Sequence, residues 1–218
     1  SQLTQSYMSD YIGEKYVERH FSPEAKADVE EMIAEFIEVY KSRINGLDWM
    51  SAETKERAIE KLDKMIVKVG YPDNTESVLD GVDIKSADEG GTLLDNMMEI
   101  SKANRRANAE YQGKAVDKTE WNTPAYTVNA YYDPSANDIT FPAGILQAPF
   151  YDENAAREEN LGGIGVVIAH EITHAFDSTG AQFDADGNVA NWWTQEDYQK
   201  FSELCQEVIE YYDGYETM

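Results

Sequence analysis

A mainly α fold with a small antiparallel β hairpin, an α+β arrangement, is what this sequence predicts. Three observations carry the prediction. Apolar residues recur with a 3.6-residue period through most of the stretch up to Tyr111. From Ala125 the pattern changes to short stretches rich in Tyr, Val, Thr, Ile and Phe, separated by turn residues. A glycine-led apolar run from Gly162 then carries His170-Glu171-Ile172-Thr173-His174, with the two histidines four residues apart and so on one face of a helix.

The helices follow in order. Residues 3 to 19 read as a helix with Leu3, Tyr7, Tyr11 and Ile12 near one face. Ser22-Pro23-Glu24 supplies an N-cap, a proline at the first helical position and an acid in the first turn. Val29, Met32, Ile33, Phe36, Ile37, Tyr40 and Ile44 hold the helical period behind that cap, and Gly46 ends it. His20, in the link between these two helices, reads as a surface residue. Ser51 caps a third helix carrying Ala58, Leu62, Met65, Ile66 and Val69, which Gly70 and Pro72 stop. Residues 71 to 91 are polar, acidic and glycine-containing and read as a loop. A fourth helix from about Leu93 to Tyr111 has Leu93, Leu94, Met97, Ile100, Ala103 and Ala107 as its expected buried stripe.

Ala125 to Tyr132 and Ile139 to Phe141 then look extended, with Asp133-Pro134-Ser135-Ala136-Asn137-Asp138 as turn chemistry between them. Residues 151 to 160 are polar and precede the histidine-bearing helix. A Gly/Asp/Asn-rich connection runs from Gly180 to Asn191, and a last helix starts near Thr194 with Tyr198, Phe201, Leu204, Val208 and Tyr211 on its apolar side. Asp184-Ala185-Asp186-Gly187 resembles part of a calcium loop. With Gly187 at the sixth position, however, the first and twelfth fall on Gln182 and Trp193, where acids are required.

Composition narrows the partners. The net charge of −24 and the scattered Lys and Arg argue against nucleic acid, and no apolar run is long enough for a transmembrane segment. No leader of the secretory type opens the sequence. Hydrophobic residues at 42% are enough for a substantial core. Cys205 is the only cysteine, so no intrachain disulfide forms, which fits a reducing compartment.

The chemistry is concentrated in the His-Glu-x-x-His helix, which holds two of the three histidines of the chain. Two imidazoles at this spacing can bind one Zn²⁺, with Glu171 in reach of a water on its open side. Catalytic zinc usually takes three protein ligands. A third histidine from a His-x-x-Gly-x-x-His extension is excluded, because Asp177 and Gly180 stand where glycine and histidine are needed. Glu196, Glu203, Glu207 and Glu210 lie downstream, and spacing does not choose among them. The chemistry that follows is metal-assisted hydrolysis, with zinc lowering the pKa of water to about 7 and Glu171 as general base. A peptide bond is the natural target. Asp177 is a candidate acceptor for a histidine N–H, or else a surface acid at a helix end. The hairpin offers a strand edge for an extended substrate, with Asn129 placed to hold its backbone.

Four stretches occur in order: Val128-Asn129-Ala130-Tyr131-Tyr132, Phe141-Pro142-Ala143-Gly144-Ile145-Leu146-Gln147, Gly162-Gly163-Ile164-Gly165 and His170 to Asp177. Together they resemble the neprilysin family of zinc metallopeptidases, peptidase family M13, which includes bacterial endopeptidase O. Leu47-Asp48-Trp49-Met50 and Gly70-Tyr71-Pro72-Asp73 are similar to that family as well. The resemblance implies a zinc endopeptidase acting on oligopeptides, with a zincin-like (thermolysin-like) catalytic lobe. It implies one zinc bound by His170 and His174, and Glu171 as catalytic base. It further implies that Asn129 and Ala130 hold the substrate backbone, that Ile145, Phe150, Val166 and Val167 line an apolar pocket for the residue after the cut, and that Asp177 belongs to the polar surround.

On this resemblance, residues 1–120 form the helical region of the peptidase. Residues 121–218 form a partial zincin catalytic region with the edge strand and the His-Glu-x-x-His helix. The family takes its third ligand from a Glu-Asn-x-x-Asp motif several dozen residues beyond the histidines, and the sequence contains none. The chain therefore reads as an internal portion of a longer enzyme, incomplete at its C-terminus, whose remainder is its first partner and which alone is inactive. The alternative is a peptide-binding module without catalysis, against which the intact Glu171 argues. Animal members are disulfide-rich ectodomains, so the single cysteine leans towards a bacterial, cytoplasmic member.

Overall fold

Side-chain caps start most of the long helices. A computed structural model describes residues 7–73 and 77–215. Helix α1 spans Ser9–His20, and Leu3, at the start of the predicted helix, lies outside the described residues. In α2 (Pro23–Asn45) the Ser22 hydroxyl accepts the Ala25 amide at 3.0 Å. The periodic residues Val29, Met32 and Ile33 are fully buried, each worth roughly 1.5–3 kcal/mol of apolar transfer. Helix α3 (Ala52–Asp63) is capped by Ser51 in the same way.

The third helix was expected to run on through Met65, Ile66 and Val69, but it stops at Asp63 and Ile66–Gly70 is a strand, β1. Those apolar positions fit either spacing. The choice falls to a partner far along the chain, because β1 gains a parallel ladder with β3 (Asp138–Pro142), in register from Ile66↔Asp138 to Gly70↔Pro142. Strand β2 (Tyr131–Asp133) lies antiparallel on the other side of β3, with Tyr131 opposite Thr140. The predicted antiparallel hairpin is therefore present within a mixed three-stranded sheet of order β1-β3-β2, and its first strand is shorter than Ala125 to Tyr132. All five residues of central β3 are buried, whereas β2 forms a sheet edge.

One buried ion pair ties β1 to β3, and its lysine also reaches the segment before β2. Lys68 Nζ donates to Asp138 Oδ2 at 2.6 Å and to the Glu120 carbonyl at 2.9 Å. Burial pushes the Asp138 carboxyl above its ordinary range, although Lys68 and Thr140 pull it down.

Helix α4 (Leu93–Tyr111) forms as predicted behind its Thr92 cap, but its apolar stripe is not buried. Leu93 and Leu94 are each 66% exposed, and Ile100 is its one buried residue. The polar stretch before the histidines contains a short helix, α5 (Arg157–Gly162). Helix α6 (Ile164–Thr173) then buries Ile164, Ile168 and Ile172 completely, packed across α2 and against β2. Helix α7 (Gln195–Asp213) starts at the Thr194 cap and packs Phe201 on Trp193 at 5.4 Å between ring centroids. Its Tyr198, Val208 and Tyr211 are exposed, since none of the described elements covers that side. No described helix is long and apolar enough to cross a membrane.

Candidate metal centre

The centre is built on the start of α6. Gly163, between α5 and α6, has φ −96° and ψ −97°, and a Cβ there would overlap the Phe150 carbonyl oxygen. That close approach lets the Ile164 amide donate to Phe150 O at 2.7 Å. The contact brings Phe150 to the same end of α6 as Val166 and Val167. Phe150 and Val166 are exposed and Val167 is half-buried, while Ile145 is buried in the core. A further clamp holds the helix from behind: the Tyr40 hydroxyl donates to the Ala169 carbonyl at 2.9 Å.

One turn on, His170 and His174 converge. Their Nε2 atoms are 3.0 Å apart and their ring centroids 4.6 Å, with the planes nearly perpendicular. Asp177 Oδ2 lies 2.7 Å from His174 Nδ1, so Asp177 is the histidine partner and not merely a surface acid. Its other oxygen accepts the amides of Thr179 at 2.9 Å and Gly180 at 2.8 Å. Burial raises the Asp177 pKa, but the His174 bond and the two amides outweigh it and hold the carboxyl below its ordinary range. An ionised Asp177 on Nδ1 selects the Nδ1–H tautomer and leaves the His174 Nε2 lone pair free.

Glu171 is only 6% exposed. Burial pushes its carboxyl up, opposed by the two imidazoles and the Tyr132 backbone N–H. Tyr132 belongs to β2, so the sheet edge and the carboxylate meet here. Asn129, just before β2, is exposed and Ala130 is buried.

These residues fit zinc by their chemistry. Zinc bonds of about 2.0–2.1 Å at a tetrahedral angle place two nitrogens about 3.3 Å apart, a few tenths of an ångström from the observed separation. The pair amounts to two of the three protein ligands that catalytic zinc usually takes, since among the described residues no group of three His, Cys, Asp or Glu side chains is arranged for a metal. Glu196, Glu203, Glu207 and Glu210 are all exposed on α7.

Two polar residues behind the site escaped the sequence reading. Lys61 is completely buried and donates to the carbonyls of Gly180 at 2.7 Å and Phe183 at 2.6 Å. Asn137 is also completely buried; it donates to Lys61 O and Ala185 O and accepts the Tyr132 hydroxyl. For Lys61 there was a signal: it occupies a position on the apolar face of its helix, beside Ala58 and Leu62. Asn137 had none beyond its place in a turn, where its φ of 55° suits asparagine.

Known proteins share both sequence and fold with this chain. A neutral endopeptidase of Lactococcus lactis is 45% identical over 215 residues, covering 99% of this chain and 34% of the relative. Neprilysin-3 of Drosophila melanogaster is 38% identical over 94% of this chain and 26% of its own length. The crystal structure of PepO from Lactobacillus rhamnosis superposes with a TM-score of 0.86 at 40% identity, covering 97% of this chain and 33% of that one. Zinc metalloprotease Zmp1 of Mycobacterium tuberculosis, solved in complex with an inhibitor, gives 0.83 at 39% identity, over 99% and 32%. The chain thus spans about a quarter to a third of the length of these proteins. Two family descriptions, both peptidase family M13, match residues 1–72 and 129–218. Together with the ordered motifs around the histidine pair, those matches place the chain in peptidase family M13.

Proposed function

We propose that this chain supplies the histidine ligands and the general base of a zinc-dependent endopeptidase that hydrolyses peptide bonds of oligopeptides. The observation that carries the reading is the convergence of the His170 and His174 Nε2 atoms beside a buried Glu171, with Asp177 behind His174. His170 and His174 would hold one zinc ion. When bound, zinc supplies Lewis acidity, bringing the pKa of a water towards 7 and polarising the carbonyl to be cut. Glu171 takes the proton of the attacking water on its carboxylate and hands it to the leaving amine nitrogen. Asp177 keeps the His174 ring in one tautomer and orientation.

The outer edge of β2, which pairs with no further strand among the described residues, lets an extended peptide add there, held by main-chain hydrogen bonds near Ala130 and by the Asn129 side chain. Ile145, Phe150, Val166 and Val167 make the apolar side of the site for the residue after the cut. Phe150 and Val166 meet it first, and Ile145 and Val167 back them from the interior.

The third ligand is supplied by the rest of a longer peptidase, so the isolated 218 residues bind zinc weakly and cleave poorly. What supports this is the incomplete donor set among the described residues and the fraction, about a quarter to a third, of relatives' length that the chain spans. The same incompleteness favours a second reading, a peptide-binding module without turnover. Cleavage of a quenched-fluorescent oligopeptide separates the possibilities. The native-length protein is expected to cleave it, to stop on chelation and to recover with zinc. Cleavage indifferent to chelator contradicts the metal reading, and equal turnover by the isolated 218 residues contradicts the shared site. A native-length protein that binds the peptide without cutting it is the binding module.

A further inference from the structure

Lys61 is a buried cation that the proposed chemistry does not use. It is fully buried, and among the described residues it forms no ion pair with a carboxylate. Burial lowers its pKa to about 8, although Asp184 and Asp177 pull it up. Taking an ammonium out of water costs several kcal/mol unless its donors are satisfied. Here they are spent on two main-chain carbonyls, Gly180 and Phe183, and the ammonium faces the rings of Tyr132 at 5.7 Å and Trp192 at 5.6 Å.

Those carbonyls flank the 3₁₀ turn Gly180–Gln182, which follows the histidine pair. The turn is gripped at both poles of one residue. Lys61 holds the Gly180 carbonyl, and Asp177 Oδ1 accepts the Gly180 amide. A Cβ on Gly180 would overlap the His174 carbonyl oxygen, so the turn lies directly against the residue it serves. Asp177 Oδ2 then completes the path to His174 Nδ1. The main chain of Lys61 reaches the opposite flank of the site. Its carbonyl accepts Asn137 Nδ2, and Asn137 Oδ1 accepts the hydroxyl of Tyr132, the residue whose backbone N–H faces Glu171.

We propose that Lys61 is a positioning residue for the metal centre: its ammonium locks the Gly180 turn so that Asp177 is already aimed at His174 before zinc arrives. The inference rests on His174 being a zinc ligand. It predicts that removing the ammonium weakens zinc binding through preorganisation, with every direct ligand intact. Lys61→Met keeps most of the apolar stem and deletes the charge. Lys68→Met deletes the other buried ammonium, which touches Asp138 and Glu120 and makes no hydrogen bond to the turn.

The test measures zinc affinity by chelator competition in the native-length protein. Lys61→Met is expected to weaken it about tenfold, the lower end of the 10–100-fold that partners of metal ligands carry. Lys68→Met is expected to leave it within twofold. Equal affinity for Lys61→Met and the unmodified protein overturns the proposal, as does an equal loss in Lys68→Met, which would mark general destabilisation. Amide exchange in the metal-free unmodified protein tests the same idea without any variant. The Thr179 and Gly180 amides are expected to be protected to the level of the core, and rapid exchange there overturns the preformed turn whether or not Lys61→Met folds. A protein that protects those amides yet binds no zinc refutes the zinc reading and leaves the turn lock standing.

Discussion

Glu171→Gln is expected to lower kcat for peptide hydrolysis by about 10²–10⁴-fold while zinc stays bound. That factor corresponds to about 3–5 kcal/mol of transition-state stabilisation. The amide has the carboxylate's shape but cannot take the water's proton or return it to the amine. Glu171 is not one of the converging nitrogens, so the histidine pair keeps its metal. Folding should not suffer, because burial already opposes the charged form of Glu171 and the amide carries no charge to desolvate. Peptide turnover and zinc content measured on one preparation check the prediction. Turnover that survives with zinc in place removes Glu171 from the role of base.

The second large effect is on stability. Asp197 is 2% exposed and accepts the Ser51 amide at 2.9 Å, the Thr194 hydroxyl at 2.7 Å, and the hydroxyls of Ser51 and Thr54. It thereby joins the N-termini of α3 and α7, where a negative charge also suits both helix dipoles. Burial raises its pKa, but these hydrogen bonds outweigh burial and hold it at about 2 against an ordinary 3.8. At about 1.4 kcal/mol per pH unit, the difference is worth about 2 kcal/mol. Because the folded value is depressed, that stability is complete above about pH 4 and is lost as the pH falls towards 2.

Asp197→Asn replaces one acceptor oxygen by a donor facing donors, and should cost about 2–4 kcal/mol at pH 7. Urea midpoints of the two proteins should differ most at neutral pH and approach each other between pH 4 and pH 2. A gap independent of pH would show that Asp197 does not act through its charge.

The legible parts of this chain were the local ones. Ser22, Pro23 and the spaced Val29, Met32 and Ile33 specify α2 within a few turns, and the His170/His174/Asp177 spacing determines who can meet on one helical face. The end of α3 was misread because Met65, Ile66 and Val69 satisfy two periods, and β3 decides between them from some seventy residues away. The stripes of α4 and α7 were read correctly as apolar. Period alone does not say what covers a face, and the described elements cover only Ile100 of the first and the Phe201 end of the second. Lys61 shows in the sequence only as a lysine on an apolar helix face, and what it and Asn137 bind is not legible there: their partners at Gly180, Phe183 and Ala185 lie far along the chain, and only folding brings them beneath the metal helix.

Zinc K-edge absorption on the native-length protein tests the central claim most directly. The account predicts one zinc per chain, with imidazole nitrogens at about 2.0–2.1 Å. It predicts that the imidazole signal and most of the metal are lost together in the His170→Ala, His174→Ala double variant. Full zinc occupancy with an unchanged imidazole signal in that variant would contradict it.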